Sequence, residues 1–254
     1  FMSGVYRAGF SASRDKLTQE EADKVIEFPK GFCEEGSRAA YPIESIEPLQ
    51  YFHNLRRIGE NAFSGFGGEG RLIIPDSVEE ILSRAFAYTS HISGEVILPK
   101  GLRILDAGAF RGSSIESITI PDGITRIPNN AFEGCKNLTR IVLPAGVTTI
   151  GNAAFRDSGI ESIEIPSSVK TIGDYAFAVS SIRRIALPLT DIELGDFCFS
   201  GSKIETLRVT EKVKLGYGAL YECSLLKELV LENEMERTPQ SMCSGCTSLT
   251  SVTL

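Results

Sequence analysis

The chain has 254 residues, of which 42% are apolar, and this composition favours a folded protein with a sizeable hydrophobic core over a disordered segment. Its 26 basic and 33 acidic residues give a net charge of -7, opposite in sign to the basic surface that a nucleic-acid-binding protein needs. Because the sequence lacks any apolar run of about 18 residues, we expect no membrane insertion within it.

The first predicted element is a short helix over residues 17–28. Thr18 and Glu21 have the spacing of a capping box, and Pro29 follows where the helix should end. The apolar face of this helix would consist of Ala22, Val25 and Ile26. We expect it to cover the apolar end of a repeat array, within an N-terminal segment (1–54) that also holds a first repeat-like strand.

Three glycines further along, Gly65, Gly67 and Gly70, have the spacing of a dinucleotide-binding loop. Such a loop binds pyrophosphate only where it leads from a strand into the N-terminus of a helix. Here the glycines lead into a predicted strand, so we interpret them as an ordinary loop and expect no cofactor. This loop and residues 87–95 are the longest between repeats, and both are expected to protrude.

From residue 55 to residue 254 the sequence repeats about nine times, with a period of about 22 to 23 residues. One landmark of each repeat is an aromatic residue that usually follows alanine, and the second is a proline in fixed phase with it. The aromatic landmarks are Phe63, Phe86, Phe110, Phe132, Phe155, Phe177 and Phe199, continued by Leu220 and Cys243. The proline landmarks are Pro75, Pro99, Pro121, Pro144, Pro166 and Pro188, continued by Thr210 and Glu232.

The residues just before each proline alternate between apolar and polar, as in IESITIP (115–121), and this pattern predicts a short strand. Two further apolar residues follow the proline at intervals of three, for example Val147 and Ile150. A single repeat cannot bury such a face alone, so the repeats must stack into a solenoid with a parallel sheet on its concave side. We therefore predict a mostly β repeat solenoid with short irregular or helical convex segments.

The pattern LTRIVLPAGVTTIGNAAF (138–155) resembles the BspA-type leucine-rich repeats of bacterial surface proteins, and the resemblance covers residues 55–254. Upstream, residues 43–58 are similar to the openings of Bacteroides-type leucine-rich-repeat surface proteins. The resemblance implies a non-catalytic, extracellular or cell-surface protein that adheres to host proteins or to other bacteria. The late departures at Asp191, Thr210, Glu232, Leu220 and Cys243 put the regularity of the last three repeats in doubt.

Six cysteines raise the question of disulfide or metal chemistry. Cys135, Cys223 and Cys246 share one repeat position, three residues after the aromatic landmark, which favours small buried side chains. Cys243 and Cys246 have CxxC spacing, but a zinc site needs a second pair of ligands, so we expect no metal site. A disulfide between Cys223 and Cys246 in adjacent repeats stays open.

The sequence contains no recognisable catalytic set, and we expect no enzymatic activity. A nucleophilic triad needs a base beside serine or cysteine, and the two histidines, His53 and His91, stand in no known motif. Acidic residues occupy ordinary exposed repeat positions, although a carbohydrate-active hydrolase using paired carboxylates is the weakest alternative.

The outward positions of the predicted strands form the candidate site, a rigid face that suits binding to a protein. Its members combine both charges with some apolar surface: Thr119, Arg140, Val142, Glu164, Arg184, Arg208 and Glu228. The predicted function is thus protein binding or adhesion to a host matrix or bacterial surface protein. A structural spacer that presents another domain is the alternative. Because Phe1 precedes Met2 and the chain stops within a repeat, we expect it to be a segment of a longer protein.

Overall fold

The strands of successive repeats lie side by side in two parallel ladders that run along the protein. A computed structural model describes residues 19–32, 45–232 and 239–253, and every strand pair within these ranges is parallel. Each repeat forms one coil of a solenoid, which confirms the predicted fold class. Helix is confined there to α1 (Gln19–Ala22) and a 3-10 helix, Glu47–Tyr51.

The predicted strands before each proline form what we call the front ladder. Its strands are β3 (Gly70–Arg71), β5 (Ile92–Ser93), β6 (Glu95–Ile97), β8 (Ser117–Thr119), β10 (Arg140–Val142), β12 (Ser162–Glu164), β14 (Arg184–Ala186), β16 (Thr206–Thr210), β18 (Glu228–Glu232) and β19 (Ser251–Thr253).

A second set of strands, not predicted as strands from the sequence, contains the apolar sites that follow the proline. We call it the side ladder: β1 (Glu27–Phe28), β2 (Arg57–Ile58), β4 (Glu80–Ile81), β7 (Ile104–Leu105), β9 (Arg126–Ile127), β11 (Thr149–Ile150), β13 (Thr171–Ile172), β15 (Ile192–Leu194) and β17 (Val213–Leu215). Each strand presents at least one apolar side chain to the core.

The aromatic landmarks form a continuous column in the core, which we call the spine. Each spine phenylalanine from Phe63 to Phe199 is fully buried, and consecutive rings are stacked with centroids 5.3 to 5.9 Å apart. Leu220 continues the column as a buried residue, whereas Cys243 is half-buried. The prediction of a shared aromatic interior is confirmed.

Backbone hydrogen bonds also join the coils on either side of the spine, in what we call the turn column. In one coil the N–H groups of Tyr175, Phe177 and Val179 donate to carbonyl oxygens of the next coil at 2.8 to 2.9 Å. The residues two before and two after the spine residue adopt positive φ, and their N–H groups thereby point along the solenoid. Glycine fills many of these positions, but Tyr175 and Val179 adopt the same conformation at φ of 56° and 58°.

Proline determines the length of the front strands. Where proline is present, from β6 to β14, each strand has three residues and ends two positions before it. Thr210 and Glu232 replace proline and keep an N–H for the ladder, and β16 and β18 accordingly extend to five residues. The late departures therefore lengthen the strands, and the ladder continues through them.

The predicted helix over 17–28 is too long and must be corrected. The helix ends at Ala22, and Glu27 and Phe28 pair instead with Arg57 and Ile58 as the first strand of the side ladder. Ile26, expected on the apolar face, is 64% exposed, and Thr18 lies outside the described residues. Burial of Phe28 outweighs local helix propensity here.

An aromatic cluster covers the N-terminal end of the spine. The Phe28 ring lies 4.7 Å from that of Phe32, 5.1 Å from that of Phe52 and 5.4 Å from that of Phe63. These packed rings keep water from the first ring of the column. The side ladder thus begins at residue 27, and the division of the chain at residue 54 stays a prediction.

The two long loops do not protrude as expected. Residues from both fold back into the coils, where Phe66 and Ile92 are buried and β3 pairs with β5. Apolar residues inside the loops explain this outcome, because burying each such side chain is worth about 1.5 to 3 kcal/mol.

Small side chains that can form hydrogen bonds lie three residues after each spine ring from Phe86 to Phe199. The thiols of Cys135, Cys223 and Cys246 donate to the carbonyl oxygen of the preceding coil's spine residue at 2.9, 3.0 and 3.1 Å. Serine or threonine holds this position in five other coils: Thr89, Ser113, Ser158, Ser180 and Ser202. The five described cysteines are free thiols, including Cys223 and Cys246, and Cys33 lies outside the described residues. The interpretation as small buried residues is consistent with these contacts.

Removing one ring from the middle of the spine tests the importance of the stack. We expect Phe155→Ala to lower the free energy of unfolding by about 3 to 5 kcal/mol, because it leaves a cavity between two rings. Leu189→Ala is the control, since Leu189 is 80% exposed. Chemical denaturation measures both, and equal unfolding midpoints for the two variants would contradict the role of the spine.

For Val179, an exposed residue of the turn column, we predict that a substitution increases stability. Val179→Gly should raise the free energy of unfolding by roughly 0.5 to 1 kcal/mol, because positive φ is strained for a β-branched residue and the gain exceeds the added chain entropy. Val142→Gly, also at an exposed valine but within β10, should lower it by about 1 kcal/mol. Destabilisation of similar size in both variants would refute the strain argument.

Ionisation of the buried Cys135 thiol should reduce the stability of the protein at alkaline pH. Burial raises the pKa of its thiol from 9.0 to about 11, so the unfolded chain ionises first as the pH rises. The contribution is complete below pH 9 and is lost between pH 9 and 11, a difference of about 2 kcal/mol by pH 10.5.

Serine keeps the hydrogen bond but does not titrate in this range. The free energy of unfolding of Cys135→Ser should therefore decline less than that of the unmodified protein between pH 8 and pH 10.5. Parallel pH profiles for the two proteins would show that Cys135 ionises equally in the folded and unfolded states.

Candidate binding surface

The outward side chains of the front ladder form two rows that run along the solenoid. The strand register and the repeat position align the first row: Glu95, Ser117, Arg140, Ser162, Arg184, Thr206, Glu228 and Ser251. The second row lies two residues further along each strand: Ile97, Thr119, Val142, Glu164, Ala186, Arg208, Val230 and Thr253. We call the two rows together the front face.

All seven residues predicted for the candidate site lie on the front face. Six of them are exposed, and Thr119 is half-buried. They do not form one compact group, because the face extends over many coils. Arg208 forms an ion pair with Glu232 and is therefore partly neutralised, whereas Arg140, Val142, Glu164 and Arg184 come together at one place.

The front ladder is interrupted where these four residues meet. Strands β10 and β12 are not joined in a ladder, nor are β14 and β16, so β12 and β14 form a separate two-stranded sheet. The side ladder is continuous from β9 to β17, and the spine rings from Phe132 to Phe199 remain stacked. The coils therefore separate at the front while they stay joined elsewhere.

Core side chains become partly accessible at this interruption. The inward positions of the strands on both sides are buried, as Ile118, Ile120, Leu207 and Val209 are. In the three central coils, five equivalent side chains are half-buried: Ile141, Leu143, Ile165, Ile185 and Leu187. The difference in burial does not come from the residue types, because the inward residues are aliphatic both in the central strands and in the strands on either side.

The interruption forms a cleft with a volume of about 840 Å³, within the range of small-molecule and peptide pockets. Its wall includes Ile141, Leu143, Ile163, Ile165 and Ile185. Its polar rim includes three of the predicted residues, Arg140, Glu164 and Arg184, together with Thr139, Ser162 and Thr206. We call it the front cleft.

Two arginines and one carboxylate line the front cleft, which gives it a net positive charge. Arg140, Arg184 and Glu164 form no ion pair with the described residues. The nearby carboxylate of Glu205 accepts a hydrogen bond from Arg183 at 2.8 Å, and its pKa is lowered mainly by that bond. Arg184 also contributes to lowering the pKa of Glu205, so the cleft combines an apolar wall with one guanidinium group near a carboxylate and a second, that of Arg140, without an ion pair among the described residues.

A second depression of about 410 Å³ lies on the turn column, and its charged side chains pair with one another. Glu133 lies between two guanidinium groups, 3.2 Å from Arg111 and 4.0 Å from Arg156. The same arginines lie 5.9 Å from the ring centroids of Tyr88 and Tyr175. Because these charges have partners within the chain, the front cleft is the stronger candidate.

The two histidines and the five described cysteines are not among the residues that line the front cleft. His53 is exposed and its Nδ1 lies 3.7 Å from a carboxylate oxygen of Asp23, in the first coils. His91 is exposed in the loop before β5. Across residues 19–32, 45–232 and 239–253, no three histidine, cysteine or acidic side chains are arranged to hold a metal ion. The helices of those same ranges are too short to span a bilayer.

The repeat pattern matches a family model described as a BspA type leucine rich repeat region. Six copies match, over residues 22–100, 56–181 and 148–254, and together they cover most of the chain. A search of curated proteins gives no match.

Solved structures show the same architecture. A leucine-rich repeat protein from Bacteroides ovatus superposes with a TM-score of 0.67 at 29% identity, over 79% of this chain and 58% of that one. The pneumococcal vaccine antigen PcpA superposes with a TM-score of 0.55 at 22% identity, over 79% of this chain and 54% of the antigen. This chain therefore spans a little over half the length of each.

Proposed function

Because this chain belongs to the BspA type leucine rich repeat family, we propose that it is a non-catalytic recognition module that binds a protein partner through its front face. The family and the fold support a role in protein interaction or in structural support. The finer statements, namely adhesion, a location at or outside the cell surface, and a host matrix or bacterial surface partner, are part of this proposal.

The front cleft is the observation that carries the proposal. A face used only for spacing would be expected to have a closed ladder and neutralised charges along its whole length. Here the ladder is interrupted on both sides of the pair β12 and β14, and two arginines that form no ion pair among the described residues flank the interruption. Such a rigid face binds a partner with little loss of conformational entropy.

The charged groups favour recognition over hydrolysis. A glycoside hydrolase needs two nearby carboxyl groups, one of which has a raised pKa. The front cleft holds one carboxylate, that of Glu164. Elsewhere, the pKa values of Glu193, Glu205 and Glu232 are lowered by hydrogen bonds from Lys214, Arg183 and Arg208, which is typical of surface ion pairs.

An extracellular location is supported by one structural neighbour, the pneumococcal vaccine antigen PcpA, which shares this fold. The free thiols are compatible with that location, because Cys135, Cys198 and Cys223 are buried and burial raises the pKa of each. Buried, protonated thiols react slowly with oxidants.

Substitution of two front-face arginines separates a recognition module from a spacer. Arg184→Ala combined with Arg208→Ala should weaken binding to proteins captured from host matrix or bacterial surface extracts by about tenfold or more. Quantitative mass spectrometry of the captured proteins, followed by biolayer interferometry, measures the loss. The control combines Arg126→Ala with Lys170→Ala, two exposed basic residues on the side-ladder coils.

The control should bind as the unmodified protein does. Equal capture by all three proteins would contradict recognition through the front face and would favour the spacer function.

A further inference from the structure

The front cleft has a form that suits one kind of occupant. It lies on the outer surface of the sheet at β10, β12 and β14, where aliphatic side chains, two guanidinium groups and one carboxylate line it. A protein partner can supply an extended peptide that lies along the front face and presents an aliphatic side chain and a carboxylate to these groups together.

The wall of the front cleft favours the binding of an aliphatic side chain. Ile141, Ile165 and Ile185 are half-buried there, although their counterparts in coils on either side are fully covered. An aliphatic group placed against them removes their remaining apolar surface from water and is stabilised in proportion to that area. The cleft is in the middle of the solenoid, so its exposure is independent of where the chain begins or ends.

The rim of the front cleft favours the binding of a carboxylate. Arg140 and Arg184 lie in the first row, two coils apart and on either side of Ser162, a separation of about 10 Å at the usual strand spacing. A carboxylate placed over Ser162 therefore lies between two guanidinium groups. Glu164 lies in the second row, so acidic groups of the ligand are favoured on the first-row side.

We propose that the front cleft binds an extended peptide segment of a partner in which an aliphatic side chain and a carboxylate lie on the same face. This inference rests on the proposed recognition function and names the chemistry of its partner. In an extended chain, side chains on one face are two residues apart. The motif is thus an acidic residue and an aliphatic residue separated by one position.

Synthetic peptides test this arrangement directly. The probe is fluorescein-labelled Gly-Glu-Ser-Ile-Ser-Glu-Gly, whose isoleucine and two glutamates lie on one face. An isomer of the same composition, Gly-Ser-Glu-Ile-Glu-Ser-Gly, places the isoleucine on the face opposite both glutamates. Two further controls replace isoleucine by serine or both glutamates by lysine.

Fluorescence anisotropy should show saturable binding of the probe below about 1 mM and at least tenfold weaker binding of each control peptide. Arg140→Gln combined with Arg184→Gln should weaken probe binding by about tenfold, and added salt should reduce the difference. Arg126→Gln, at an exposed arginine of β9 outside the front face, should leave it unchanged. All three arginines are exposed, so circular dichroism should show that these variants fold.

Three results would overturn the proposal: no saturable binding of the probe, equal binding of the isomer, or binding of octanoate without binding of the probe. The last result would identify the cleft as a site for a free aliphatic acid. If the probe fails while substitution of Arg184 and Arg208 still abolishes capture of the protein partner, recognition through the front face stands and only the assignment of the cleft is wrong.

Discussion

The structure depends on the requirement that each coil matches its neighbour at one common spacing. Three lines of contact impose this spacing: the side ladder, the turn column and the spine, whose rings repeat at 5.3 to 5.9 Å. Each coil contributes to all three lines of contact through one short chain segment. Its spacing to the next coil must therefore be the same in all three lines. The positive φ of residues such as Tyr175 and Val179 is a consequence, since it directs backbone N–H groups to the next coil.

The front ladder is the part of the coil that this requirement constrains least. The side ladder, turn column and spine still hold the central coils together where β10 separates from β12. The separation therefore loses a few ladder hydrogen bonds, each of which contributes about 0.5 to 1.5 kcal/mol, without disrupting the stack. An interruption of the sheet is tolerated for this reason, and it leaves aliphatic side chains partly accessible on a rigid frame.

Much of the fold could be predicted from the sequence because the spine and the proline landmarks repeat by residue type. The turn column could not, because its positions hold Asn61, Arg84, Ala153, Tyr175 and Phe197, which share a conformation but no side-chain property. Residues 27–28 were assigned to a helix because their partner strand is 30 residues away. The outward position of the candidate residues could be predicted from strand alternation, whereas their role in binding stays a prediction. The interruption beside Ile141 could not be predicted, because the unpaired strands have the same residue pattern as the paired ones.

The same reasoning explains why family membership leaves the partner open. The spine keeps phenylalanine in seven consecutive coils, and this constancy is what identifies the repeat. The first row of the front face changes from coil to coil, with arginine at 140 and 184, serine at 162 and glutamate at 228. Residues that form the stack carry no information about the ligand, and residues that vary carry no information about the fold. The chemistry of the partner is therefore to be read from the few variable positions around the front cleft, where an aliphatic wall meets two arginines without ion partners among the described residues.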